Sequence, residues 1–409
     1  MTKSLLLKGG RVIDPASGRD GVADVLVTGN TVSKIAPNLP ADGAEVIDVT
    51  GSMVLPGLFD LHTHCYWGGT LLGVNPDKVG ARSGVTTWVD CGSSGAATFE
   101  GFYYHVIKRS RMRVLPLVHL SYIGLTQGGN LSIDVGELND WRFADLGELK
   151  RIRDQFPGAI AGVKLRASNN ACGENGPVVL PLAREAADMY DVPLMIHIGT
   201  APPTIDEVLP WLREGDILTH VYHPHPGGCV LDGKMKLKPA VKEAIARGVR
   251  MDVGHGGASF SFAIAEAAMD QGLMPDAIST DLHSHNIDGP AFDMPHIMSK
   301  FLALGMSLDE VLRLSTVSPA DVMRRPDLGR LSEGGISDIA VFKMKDGKVR
   351  FYDLANDMRE GTTQFEHVLT IRDGERIETF DDGRREGRKS SWQTKFRDDA
   401  ELAADTATT

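Results

Sequence analysis

Residues 55–64 read LPGLFDLHTH, a Pro-Gly turn and a short apolar run that ends in two histidines one residue apart. Neighbouring side chains of an extended strand point to opposite faces, so His62 and His64 share a face and can converge on one ion. Taken alone, an HxH pair carries little weight, because paired histidines more often complete a core or decorate a surface. The rest of the chain changes that weighting. Seven further runs of the same kind follow: GVTTWVDCG at 84–92, VLPLVHLSYIG at 114–124, AIAGVKLRAS at 159–168, PLMIHIG at 193–199, DILTHVYH at 216–223, RMDVGHG at 250–256 and AISTDLHS at 277–284. They recur about every 30 residues, the length of a βα unit. Intervening segments at Leu149–Gln155, Pro181–Tyr190, Pro239–Arg247 and Phe260–Gln271 read as helical. Eight parallel strands with interleaved helices predict an α/β fold, a (β/α)8 TIM barrel of about 250 residues.

Outside that rhythm the chain reads differently. Short strands are expected at Leu5–Lys8, Arg11–Ile13, Val25–Val27, Val32–Ile35 and Val46–Val49, with turns at Gly9-Gly10, Gly29-Asn30 and Asp42-Gly43. After a helical run at Leu308–Leu314, strand-like pieces return at Ile339–Phe342 and Val368–Ile371. Neither end holds enough residues for a core of its own. The expectation is therefore a composite β-sandwich from 1–55 and 331–385, a barrel over 56–330 and a charged tail over 386–409.

The 409 residues carry 43 Lys+Arg against 54 Asp+Glu, a formal net charge of −11. That acidity argues against a nucleic-acid partner, which requires a basic face; the basic cluster Arg384, Arg385, Arg388 and Lys389 is read as solvated surface. Cys65, Cys91, Cys172 and Cys229 are too few and scattered for a disulfide framework, which fits a reducing compartment. Without a signal-peptide pattern or a run of about 20 apolar residues, the expected setting is cytoplasmic, with no membrane partner and a small-molecule substrate.

Chemistry-bearing side chains close the predicted strands. Lys164 ends the fourth run, His197 the fifth, His220 the sixth and Asp281 the eighth. Each has a dull explanation: a lysine that snorkels, a histidine that satisfies a hydrogen bond, an aspartate that caps a helix. Together they fall on the C-terminal rim, where such barrels hold their active sites.

In this order of ligands the sequence resembles the amidohydrolase superfamily, particularly the binuclear branch with dihydroorotase, hydantoinase and D-aminoacylase. The likeness spans nearly the whole chain, from Gly10–Asp14 through LPGLFDLHTH to the closing GRLSEGGISDIAVF at 329–342. The resemblance implies two divalent ions, usually zinc, bridged by an N6-carboxylated lysine. Carried over, His62 and His64 hold one ion and His197 and His220 the second, Lys164 bridges both, and Asp281 ligates the first while serving as base. Burial lowers a lysine's pKa, and the neutral amine can capture CO2. Paired ions depress the pKa of a shared water towards ~7, and Asp281 would accept its proton during attack.

Within the superfamily the phrases HTHCYWGG (62–69), GVTTWVDCGSSGA (84–96), GVKLRAS (162–168) and YHPHPGG (222–228) are similar to a deacetylase subgroup, some of whose members cleave acetyl-(R)-mandelate. Substrate contacts are expected from Arg166, on the same strand face as Lys164, and from Tyr122, His255 and His285 at other run ends. Cys65 lacks a paired base and is read as a core or rim thiol. The implied function is removal of an acetyl group from a small carboxylate substrate. A cyclic amide hydrolase of the dihydroorotase or hydantoinase type is the alternative, and a non-catalytic scaffold is disfavoured by the complete ligand order. Barrels of this kind often associate, so a homo-oligomer is among the expectations.

Overall fold

The computed structural model describes residues 4–126 and 136–381. The expected tail and its basic cluster lie outside the described residues. The chain opens with five strands: β1 (Ser4–Asp14), β2 (Arg19–Thr28), β3 (Thr31–Ala36), β4 (Glu45–Asp48) and β5 (Met53–Pro56). Seven parallel strands follow: β6 (Leu58–Thr63), β7 (Val85–Cys91), β8 (Arg113–His119), β9 (Gly162–Ala167), β10 (Leu194–Ile198), β11 (Ile217–Thr219) and β12 (Arg250–Asp252). The chain ends in β13 (Ile339–Tyr352), β14 (Met358–Arg372) and β15 (Glu375–Arg376).

Strands β6 to β12 pair in chain order. The eighth run forms no ladder of its own. It closes the barrel through two parallel bridges, Asp252 with Ala277 and Thr63 with Leu282, and through the Asp60 carboxylate, which accepts hydrogen bonds from Thr280 N (3.0 Å) and Thr280 Oγ1 (2.6 Å). The cause is local backbone geometry. His220, Gly254, Gly256 and Asp281 all have left-handed φ, at 71°, 48°, 59° and 46°. Extended pairing cannot continue through such residues, so β11 and β12 are short and the eighth stave is irregular.

Alternation sorts the barrel side chains. Phe59, Leu61, Val89, Leu117, Met195 and Ile217 form an inner cluster with Ala320 and Val322 of the helix Val317–Val322. Leu58, Trp88, Val118, Val163, Leu165, Leu194, Ile196 and Leu218 join the larger cluster that includes the helices. Lys164, His197 and Thr219 keep the inward parity. In β6 the pairing with β7 shifts between Asp60 and Thr63. Such irregularities re-aim side chains, and here the face passes from Phe59 and Leu61 to His62 and His64.

Both ends of the chain build one eight-stranded sheet, ordered β15-β14-β13-β5-β1-β2-β3, with β4 also paired to β1. The expected turn at Gly9-Gly10 is instead a bulge inside β1, where pairing with β2 shifts between Leu7 and Gly10. Residues 5–8 of β1 pair with β4, and Arg11 and Val12 with β5. Side chains of both halves, among them Leu5, Val25, Val54, Val341 and Ile371, form one apolar cluster, so the sheet wraps a core of its own. Among the described residues no helix is long and apolar enough to cross a membrane.

Candidate metal centre

The strand ends bring together all six residues expected to ligate metal, five of them buried and His197 half-buried. Nitrogen and oxygen atoms of His62, His220 and Asp281 lie within 4.8 Å of one another. Lys164 Nζ stands 3.2 Å from His62 Nε2. Asp281 Oδ1 lies 3.5 Å from His62 Nε2 and 3.2 Å from His64 Nε2. The His197 and His220 ring centres are 4.4 Å apart. His220 and Asp281 hold their left-handed backbone at about 1–3 kcal/mol each, a cost that clusters at functional sites.

Partners behind the imidazoles decide which nitrogens face inward. His220 Nδ1 lies 2.7 Å from Gly254 O, which can only accept, so Nδ1 carries the proton and Nε2 keeps its lone pair. His62 Nδ1 sits 2.8 Å from Thr219 Oγ1 and 3.3 Å from Asp252 Oδ2. The Thr219 hydroxyl donates to Asp252 at 2.6 Å, and Ser279 Oγ donates to the other oxygen at 2.6 Å. His62 therefore also presents a bare Nε2. His64 Nδ1 is 3.1 Å from Ser93 Oγ. Backing of this kind fixes tautomer and ring orientation in metal sites.

The charge state fits the geometry. Burial pushes the His62 and His197 imidazoliums well below their usual range and that of His220 to about 3, so all three are neutral. Burial likewise lowers the Lys164 ammonium, whose partners are the His62 imidazole and the Met195 thioether, neither of them anionic. Burial opposes ionisation of Asp281, but His64, whose Nε2 lies 3.2 Å away, helps to hold the carboxyl well below the ordinary range. Neutral imidazoles, one carboxylate and an amine able to shed its proton suit a divalent cation.

A cavity of about 840 Å³ opens onto this group. Its lining includes Arg166, His197, Asp281 and His285, together with His225, His283 and the backbone at Gly257 and Pro290. Arg166 is held by Glu137, which also takes a hydrogen bond from His119 Nε2 at 3.1 Å. The Ser121 N–H donates to His119 Nδ1, which sets that tautomer. Tyr122 and His255 fall outside the described lining. Tyr122 is tied through its backbone to Ala97 and Phe143. Both nitrogens of His255 are engaged, Nε2 with Lys300 at 2.9 Å and Nδ1 with Gly256 O at 2.9 Å. Cys65 is buried, and burial drives its thiol well above the normal range, so it is inert as a nucleophile.

Sequence reasoning missed His283, whose ring centre is 6.3 Å from that of His64 and whose imidazolium burial lowers to about 4. Its spacing of two from Asp281 is the signal that picked out His64. Asp252 behind His62 and Glu137 behind Arg166 were missed as well.

The chain is similar to known proteins over most of its length. A deacetylase from Brucella anthropi is 36% identical over 361 residues, covering 88% of each chain, and one from Agrobacterium fabrum is 36% identical over 359, covering 87% of this chain and 86% of the other. The crystal structure of a dihydroorotase superposes with a TM-score of 0.84 at 32% identity, covering 92% of this chain and 97% of that one. That of an adenine deaminase also scores 0.84, at 29% identity, covering 91% and 99%. Residues 53–377 match the amidohydrolase family model, and the chain belongs to the amidohydrolase family.

Proposed function

We propose that this protein is a metal-dependent deacetylase that cleaves an acetyl ester or amide of a small carboxylate-bearing substrate, such as an acetylated 2-hydroxy acid or an N-acetyl-D-amino acid. The observation that carries this reading is the meeting of Lys164 Nζ with His62 Nε2 at 3.2 Å beside the His62–His220–Asp281 group. A buried lysine among imidazoles suits carboxylation, and two divalent ions, zinc by the chemistry of the donors, would then be held by His62, His64, carboxylated Lys164, His197, His220 and Asp281. Bound there, the ions supply Lewis acidity for the carbonyl and an acidified water.

The chain's own residues account for the rest. Asp281 is anionic and lines the cavity, so it can take the proton of the attacking water and return it to the leaving group. Arg166 also lines the cavity. Glu137 holds one of its terminal nitrogens, which leaves other guanidinium donors for a substrate carboxylate. His283 and His285 stand on the same wall as Asp281 and are placed to orient the acyl group.

The relatives named deacetylase support the acyl chemistry. A second reading, cyclic amide hydrolysis, is favoured by the dihydroorotase structure and by a 60-residue stretch 60% identical to a Streptococcus thermophilus dihydroorotase. The test is a screen of protein loaded with zinc and bicarbonate against acetyl-(R)- and acetyl-(S)-mandelate, N-acetyl-D- and L-amino acids, dihydroorotate and a hydantoin. Turnover of acetyl compounds with about two zinc ions per chain is expected. Turnover confined to cyclic amides selects the second reading, and failure to retain zinc refutes both.

A further inference from the structure

Lys300 lies outside the ligand group and is fully buried on the helix Met294–Ala303. Its Nζ has three partners: Tyr352 O at 2.7 Å, Pro290 O at 2.9 Å and His255 Nε2 at 2.9 Å. An ammonium has three N–H groups, so every donor is used. The nearby anion, Asp353, is engaged by the backbone amides of Phe262, Ala355 and Asp357. The three acceptors come from three parts of the molecule. Pro290 lines the cavity, Tyr352 ends β13 in the chain-end sheet, and His255 follows β12 on the barrel rim.

Acceptance at Nε2 leaves the His255 proton on Nδ1, which donates to Gly256 O at 2.9 Å, while Phe260 stacks on the ring at 4.6 Å between centres. Gly256 is pinned on its other side by Thr280 O at 2.9 Å. It also abuts the carboxylate next to it: a Cβ on Gly256 would stand 2.7 Å from Asp281 Oδ2. Gly257, the next residue, is part of the cavity wall.

We propose that Lys300 is a positioning residue. Through His255 it fixes the Gly256 backbone against which Asp281 rests, and through Pro290 it fixes the cavity wall, so that the chain-end sheet braces the reacting carboxylate. The proposal rests on the reading of Asp281 as the proton-transfer group. A lysine that served packing alone would be replaceable by an apolar side chain of similar length with little loss, since buried charges are often neutral or costly to stability.

The test compares zinc-loaded wild type with Lys300→Met, His255→Leu and His255→Gln. Gln keeps one acceptor for Lys300 and one donor for Gly256 O. Thermal melting, zinc content, kcat and KM on an acetyl substrate, and 15N imidazole NMR of His255 are measured. Lys300→Met and His255→Leu should retain zinc and lower kcat at least tenfold with a smaller change in KM; His255→Gln should recover most of the loss. In Lys300→Met the His255 Nε2 resonance should shift as that nitrogen loses its donor, while Nδ1 stays protonated against Gly256 O. Wild-type kcat in either disruptive variant, or an unchanged His255 Nε2 resonance in Lys300→Met, overturns the proposal. If Lys300→Met does not fold, the His255→Leu and His255→Gln pair decides it. A wild type that turns over no acetyl substrate instead counts against the functional reading, and the Nε2 comparison still judges the contact of Lys300 with His255.

Discussion

Substituting Gly254 by alanine should damage the candidate metal centre from behind. Gly254 has φ of 48°, and its carbonyl accepts the Nδ1 proton of His220. A methyl group at this position would stand 2.4 Å from Thr219 Oγ1, 2.7 Å from His220 Nδ1 and 3.0 Å from His62 Nδ1. These are the atoms that set which nitrogen each imidazole turns toward the cavity. The left-handed backbone costs alanine about 1–2 kcal/mol, and forcing a methyl into a filled site adds about 1–3 kcal/mol. The expected loss of stability is thus roughly 2–5 kcal/mol. Displacing such backing groups should also weaken metal binding about 10–100-fold. Gly272→Ala separates the two effects, because Gly272 has φ of 90° but nothing within 4 Å of the added methyl. It should show the backbone strain alone and keep its zinc. Zinc content after dialysis against a graded chelator, with melting of the apo and loaded forms, gives both quantities. If Gly254→Ala binds zinc as the wild type does, the orienting role assigned to Thr219 and Gly254 is wrong.

Three other outcomes follow from the same structure. Asp281→Asn should keep much of the metal and lose about 10²–10⁴-fold in hydrolysis, the usual contribution of a positioned acid–base group; a steady-state assay beside zinc analysis checks it, and near-normal turnover would remove Asp281 as base. Asp252→Asn disturbs the acceptor shared by Thr219 and His62 and should weaken metal about 10–100-fold, read by chelator competition. The third concerns pH. His367 is half-buried on β14, its Nε2 2.8 Å from Thr370 Oγ1, and burial pushes its imidazolium down to about 4. Between about 4 and the ordinary value near 6.5, the unfolded chain takes up a proton that the folded chain does not. Stability should therefore fall as pH drops through this window, by about 1–2 kcal/mol after allowing for partial exposure. Urea titrations of wild type and His367→Phe should show a shallower slope in the variant; parallel slopes would refute the assignment.

The barrel was legible because its repeat and inward parity are written into the chain. Lys164, His197 and Thr219 stand at inward positions of β9, β10 and β11, and polar side chains at such places are conspicuous. The eighth stave was legible in composition but not in conformation, because nothing in AISTDLHS announces that Asp281 turns left-handed. Gly9-Gly10 was read as a turn since a glycine pair satisfies a bulge and a turn equally well. The supporting charged residues were hidden for a different reason. Asp252, Glu137 and Lys300 act through partners more than 25 residues away in sequence, and no local pattern marks them. His255 was picked out by its position at a run end, but the residue that claims its second nitrogen sits on a later helix.

The same contacts explain why the chain-end sheet and the barrel are found together. Among the described residues the sheet contributes none of the candidate ligands, yet it is joined to the barrel at several levels. Arg113 of β8 pairs with Asp338 just before β13, Thr370 of β14 donates to Gly80 O at 3.0 Å, and Ser299, on the same helix as Lys300, accepts from Phe365 N of β14 at 3.0 Å. The helix Met294–Ala303 is thus clamped to β14 on one side while Lys300 reaches His255 and Pro290 on the other. A rim whose last strands are short and whose eighth stave lacks a ladder is braced by only a few backbone bonds, such as Gly256 N to Thr280 O. Support from outside the barrel then falls to side chains anchored on a long hairpin, and Lys300 is the point where that support reaches the wall beside Asp281.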